Sequence, residues 1–215
     1  MMTRDTTRTT PSRPNLRERQ KRRTRSEISQ VALELFEERG VERTMVDDIV
    51  ERAEVSQRTF FRHFATKEDA ALLIHHDFGV ALRRYLDQGG RSSPLSTLCG
   101  VYSRVLADYG RGEGEAAQQM LRVRALMLTS PALHTAGLRL DTQRAQELLE
   151  YFMAEGEWSV ERELGVRMAV ETTAAAVRVT LKVWNDLYNS ATPADAAELF
   201  DQVLASAGID PGANG

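Results

Sequence analysis

The sequence predicts an all-α fold, on three observations. Apolar residues recur at the three- and four-residue spacing of a helix face almost throughout. No segment keeps the strict alternation of a half-buried strand. Short clusters of Gly, Pro and Ser separate the periodic stretches, as expected of links between helices. With 215 residues, 42% hydrophobic and 27% charged, the chain can bury a core in one or two domains and is too apolar to be disordered.

Residues Met1 to Asn15 are rich in Thr, Arg, Ser and Pro, with almost nothing to bury, and are expected to form a disordered basic arm. From about Leu16 the pattern turns helical, and Ile28, Val31, Ala32, Leu35 and Phe36 share one face until Gly40. Thr44, followed by Asp47, reads as the cap of a second helix with Val46, Ile49, Val50 and Ala53 on its buried side. Ser56 caps a third that carries Phe60, Phe61 and Phe64. A fourth is expected from Lys67 to Asp87, with Ala71, His75, Phe78, Leu82 and Tyr85 on one face, broken at Gly89-Gly90. Further helices are expected over Leu95 to Tyr109, Glu115 to Leu128, Ala132 to Ala154, Val160 to Tyr188 and Ala194 to Ala207.

The formal net charge of -3 hides an asymmetry. Residues 1–25 hold nine basic and two acidic side chains, or +7, which leaves 19 basic against 29 acidic and -10 for the remainder. A basic head of this kind suits a phosphate backbone, whereas the acidic body does not.

One cysteine, Cys99, can form neither an internal disulfide nor a zinc site. No apolar run is long enough to span a membrane, and no apolar core of a signal peptide follows the basic start, so a soluble cytoplasmic protein is expected. His75, His76 and Asp77 lack the three- or four-residue spacing that puts two metal ligands on one helix face. Neither a nucleophile with a base nor a glycine-rich phosphate loop is evident. The expectation is a protein that is not an enzyme and needs no cofactor or metal.

The helices Thr44 to Ala53 and Ser56 to Phe64, joined at Glu54-Val55, have the length and apolar spacing of a helix-turn-helix, whose second helix enters a DNA major groove. Gln57 can pair with adenine, Arg58 with guanine, and Thr59 can meet a thymine methyl or a phosphate. Arg62 and His63 are placed for phosphates, and Lys67 opens the next helix within reach of the same backbone. Phe60 and Phe64 extend the apolar stripe; Phe61 is open to two readings, core or DNA contact.

At these residues the chain resembles the TetR family of bacterial transcriptional repressors. The likeness runs through Val31-Ala32-Leu33-Glu34-Leu35-Phe36-Glu37-Glu38-Arg39-Gly40, Val46-Asp47-Asp48-Ile49, Val55-Ser56-Gln57-Arg58-Thr59-Phe60-Phe61-Arg62-His63-Phe64 and Lys67-Glu68. It implies a three-helix DNA-binding domain (16–66 here) and a body (67–215) that dimerises and holds a small-molecule effector. Gln57, Arg58, Thr59, Phe61 and His63 would lie on the DNA side, with Thr44 at the helix entry and Lys67 at a phosphate. Three residues depart from the family pattern. Glu54 stands where the turn usually has Gly, Phe61 where a Tyr is usual, and Met45 where a second Thr is usual. A non-Gly residue at positive φ in that turn costs on the order of 1 kcal/mol.

For the effector, flexible Met and aromatic residues suit an apolar cavity: Tyr85, Leu86, Tyr102, Leu106, Met120, Met127, Leu128, His134, Leu138, Phe152 and Met153, any of which plain core packing also accounts for. Arg122, Arg124 and Ser130-Pro131-Ala132-Leu133 resemble a segment of the mycofactocin-regulator group of the same family, which implies an acyl-type ligand. The Val160 to Tyr188 helix confines Glu163, Arg167, Glu171, Arg178, Lys182, Asn185 and Asn189 to one sector and is apolar elsewhere. Either it is the central helix of the monomer, or Val177, Leu181 and Trp184 form a homodimer seam with Phe200, Val203 and Leu204 of the last helix. The expected function is a ligand-released repressor bound as a homodimer to a palindromic double-stranded DNA operator. The alternative is a helical protein-binding adaptor that keeps only the shape of the motif.

Overall fold

The computed structural model describes residues 16–88, 92–154 and 156–210, and every regular element among them is a helix. The expected arm, Met1 to Asn15, lies outside the described residues. The rest of the basic head is helical: Arg17, Arg19, Lys21, Arg22, Arg23 and Arg25 stand on the first turns of α1 (Leu16–Arg39). Farther along, α1 buries Ile28, Ala32, Leu35 and Phe36, and it ends at Gly40, whose φ of +86° suits a residue without a Cβ.

The second helix, α2 (Val46–Arg52), begins one residue later than the sequence implied. Its cap is Met45, whose backbone N–H donates to Asp48 Oδ2 at 2.7 Å, while Thr44 is fully buried and its hydroxyl donates to the Gly40 carbonyl at 2.9 Å. The acidic partner three residues after the cap is thus Asp48 rather than Asp47. The third, α3 (Gln57–His63), is capped as expected, Ser56 Oγ accepting from the Thr59 N–H at 3.1 Å.

The single helix expected from Lys67 to Asp87 is two, α4 (Lys67–Ala71) and α5 (Leu73–Gln88), broken at Leu72. The reason lies in burial. Ala70, Ala71, Leu72, Leu73, Ile74 and His75 are all buried, and six successive positions cannot share one helix face. The chain turns so that α4 faces α1 and α8 while α5 faces the body.

That body consists of α6 (Pro94–Ala107), α7 (Glu115–Thr129), α8 (Pro131–Met153), α9 (Val160–Asn189) and α10 (Ala196–Ser206). Ser93, Ser130, Ser159 and Asp195 cap four of them, with Pro94 and Pro131 in the first turn, where a missing N–H costs nothing. Against α9 lie α6, α8 and α10. Trp184 anchors this contact, buried edge-on to Tyr109 at 6.2 Å with its indole N–H on the Gly110 carbonyl at 3.1 Å. No helix among the described residues is long and apolar enough to cross a membrane.

The seam expected on α9 and α10 is corrected by this packing. Val177, Leu181, Trp184, Phe200 and Leu204 are buried within the monomer and Val203 is half-buried, because α6, α9 and α10 use those faces against one another. Asn185, expected in the polar sector, is buried as well. The apolar surplus of α9 lies on another face: Leu164, Met168 and Val179 stay 58%, 65% and 49% exposed, and Val183 continues the row.

Candidate nucleic-acid interface and effector space

The turn between α2 and α3 puts Glu54 at φ +51°, the left-handed conformation a family glycine would take more cheaply. The Val55 N–H closes the turn on the Val50 carbonyl at 3.0 Å. Phe60, fully buried, fixes the rotation of α3 about its axis, and Gln57, Arg58, Phe61 and Arg62 consequently point outward. Thr59 is half-buried and its hydroxyl lies 3.0 Å from that of Ser56. The Gln57 amide donates to Asp47, which ties the first turn of α3 to α2. Phe61 stands edge-on to Phe60 at 5.3 Å yet is 54% exposed, an apolar ring set among polar and cationic groups. That position favours a surface contact over core packing.

At the far end of α3 the basic stretch of α1 comes alongside. Arg25 lies over the Phe64 ring at 5.5 Å. Burial, then the charges of Arg62, Lys21 and Arg25, lower the pKa of His63 below its ordinary value, and its buried Nε2 has no hydrogen-bond partner among the described residues. A neutral imidazole ringed by three cations is a favourable neighbour for a phosphate.

Two expected DNA residues are placed otherwise. The buried Thr44 side chain offers nothing to a groove. Lys67 turns inward, its Nζ donating to the carbonyls of Val41 at 2.6 Å and Thr44 at 2.7 Å, so that it braces the turn leading into α2. The same helix is held to the body through Asp69, which caps α4 with Thr66 and pairs with Arg139 of α8. Arg122 of α7 forms a two-pronged pair with Glu37 of α1, both distances 2.7 Å, and Ser130 donates to Glu42 at 2.8 Å.

In the body, a groove of 1290 Å³ opens between the ends of α5 and α8 and the starts of α6 and α9. Leu86 and Phe152 line it, as the sequence suggested, together with Arg83, Tyr151 and Met168. Farther in, toward α4, Tyr102, Met120 and Arg124 reach a small enclosed cavity of 30 Å³. His75, Phe78, Asp141 and Arg144 line it as well, with Leu148 of α8 and Val170, Val177, Arg178 and Leu181 of α9 among the rest of its walls. Leu106 is plain core, and Tyr85 reaches outward to Asp108 at 3.4 Å. Met127 is half-buried beside Gly137, and Met153 is half-buried also. Leu128, His134 and Leu138 are exposed, because the outer faces of α7 and α8 carry them, and they line neither space.

The family model for bacterial regulatory proteins of the tetR family matches residues 28–72, from the buried part of α1 to the end of α4. The HTH-type transcriptional regulator TcmR of Streptomyces glaucescens is 34% identical over 181 residues, which cover 83% of this chain and 80% of that protein. The chain belongs to the TetR family. The HTH-type transcriptional repressor KstR2 of Mycolicibacterium smegmatis is 28% identical over 206 residues, 91% of each chain. A solved TetR-family regulator from Syntrophomonas wolfei, 20% identical, superposes with a TM-score of 0.51 over 86% of this chain and 93% of its own, and so shares the fold.

In this TetR-family regulator Gln57, Arg58, Phe61 and Arg62 of α3 are exposed while Thr59 is half-buried, and the expected effector residues split between groove, cavity, core and solvent. The sequence reading passed over Arg144 and gave His75 no part in binding a ligand. A signal for His75 existed: a histidine in the otherwise apolar stripe Ala71, His75, Phe78, Leu82. Arg144 carried none, since its main partner, the His75 carbonyl at 2.8 Å, lies 69 residues away.

Proposed function

We propose that this chain is a ligand-responsive transcriptional repressor that binds a palindromic operator as a homodimer and is released by a small, largely apolar or acyl-type effector. The observation that carries the reading is the outward row Gln57, Arg58, Phe61 and Arg62 on a capped helix rotated into place by buried Phe60. Arg58 reads base edges, Arg62 and His63 meet phosphates, and the basic first turns of α1 add sequence-independent affinity. Residues 16–66 form the DNA-binding domain and 67–215 the effector and dimer domain.

Partner protomers meet through the exposed row Leu164, Met168, Val179 and Val183 on α9, which needs a second copy to leave water. Two reading helices then enter successive major grooves about 34–36 Å apart. Effector held beside the groove favours a conformer with another separation, and the operator is released to the extent of its differential affinity for the two states. Such a repressor works in the cytoplasm, where its operator is. The test is affinity for DNA upstream of its own gene at about 150 mM salt. Binding no tighter than to random duplex would sink the repressor and leave a helical adaptor.

A further inference from the structure

The enclosed cavity holds more positive charge than it neutralises. Arg124, on α7, is half-buried and makes no hydrogen bond or ion pair among the described residues. Burial lowers its pKa, and the charges of Asp141 and Asp186 oppose that shift. Arg144, on α8, donates one Nη to Asp141 at 3.0 Å and the other to the His75 carbonyl at 2.8 Å. Among the described residues, Asp141 is the only carboxylate on the walls, against Arg124, Arg144 and the outer Arg178. His75 is 5% exposed, and its Nε2 lacks a partner among the described residues. Buried polar groups are normally satisfied, and an unpaired cation is unfavourable unless an anion meets it. Phe78 and Tyr102, with ring centroids 6.1 Å apart, supply flat walls beside these groups.

Cavity and groove share no lining residue but are neighbours along α8 and α9. Along α8 the cavity takes Asp141, Arg144 and Leu148, and the groove continues with Tyr151 and Phe152; along α9 the groove residues Val166 and Ala169 lead to Val170 and Val177 of the cavity. The 30 Å³ now free holds about two waters. An occupant therefore parts the helices, and the filled state differs in their spacing.

Resting on the effector reading above, we propose that the effector carries an acidic group, a carboxylate or ionised phenol, received between Arg124, Arg144 and Nε2 of His75. Its flat apolar body lies against Phe78 and Tyr102 and points toward the groove. A neutral ligand of the same shape leaves the charge of Arg124 unbalanced, and an amine is repelled.

Naphthoate and its neutral isostere naphthamide, titrated calorimetrically into the full-length protein without DNA, test this. Naphthoate should bind at least about tenfold more tightly. In Arg124→Gln the preference should collapse toward one, because naphthoate loses the charge that distinguishes it from naphthamide. Equal affinities in the unaltered protein, a preference that survives Arg124→Gln, or no binding of either probe at millimolar concentration would overturn the proposal. The wild-type ratio decides even if the variant does not fold. Because no DNA is present, failure here leaves the repressor reading standing, and failure of operator binding leaves the acid site standing.

Discussion

Replacing Lys67 by methionine keeps the apolar stem and removes the ammonium that holds Val41 and Thr44 at 2.6 and 2.7 Å. A hydrogen bond from a charged donor contributes about 1.5–3 kcal/mol, and half-exposure places both near the lower limit, so the expected loss is about 3 kcal/mol. For a chain of this size that lowers Tm by about 6–12 °C. The turn that starts α2 loosens, and affinity falls for operator and random DNA alike. The assay pairs calorimetric unfolding with fluorescence anisotropy on labelled operator between about 50 and 200 mM salt. A brace leaves the salt dependence unchanged, because no phosphate contact is lost. A direct phosphate contact would instead lower the slope of log affinity against log salt by about 0.9 per protomer. A reduced slope with unaltered Tm would refute the brace.

Glu54→Gly should stabilise the protein by about 1 kcal/mol, raising Tm by about 2–4 °C, since glycine takes the +51° φ without strain; no gain in thermal unfolding would show that the turn is not strained. Phe61→Ala should weaken operator binding and cost only about 0.5–1.5 kcal/mol, the edge-on contact with Phe60; a loss as large as the about 3–5 kcal/mol expected of Phe60→Ala would make Phe61 core. Val179→Glu should yield a folded monomer in sedimentation, and a persistent dimer would move the interface off that face of α9. His75 is held neutral by burial, its pKa pushed down to about 3 from 6.5, so below about pH 6.5 the unfolded chain takes up a proton that the folded chain refuses. Stability should therefore fall with pH by up to about 1.4 kcal/mol per unit, and a His75→Gln denaturation midpoint that drops in parallel with wild type would contradict this.

Much of the fold was legible because local signals agreed. Ser56 reads as a cap ahead of an apolar-periodic run, the Gly, Pro and Ser clusters fall between helices as expected, and the left-handed turn at Glu54 is implied by the glycine usual there in the family. What escaped was decided by packing between distant segments. The break at Leu72 is invisible because six apolar or neutral residues in a row read as a continuing helix until neighbours on both sides are known. Lys67 looks like any first-turn lysine, and only the fold brings the carbonyls of Val41 and Thr44 beneath it. On α9, two apolar faces were evident, but which of them the monomer covers depends on where α6 and α10 lie.

Those hidden contacts join the two proposed sites. Arg144 lines the cavity and also holds the His75 carbonyl in the first turn of α5, so an acid that recruits its guanidinium competes with that bond. From there the chain passes the break at Leu72 into α4, about 7.5 Å long, whose other end grips the turn before α2 through Lys67. Coupling between effector and operator sites is typically about 1–3 kcal/mol. That is no larger than the about 3 kcal/mol assigned to the Lys67 brace from its two charged hydrogen bonds. An effector of this strength has too little free energy to detach α4 from the reading head. It has enough to displace α4 together with α2 and α3 as one body. Under this mechanism the groove-to-groove separation changes while the brace, and the thermal stability of the head, stay as they were.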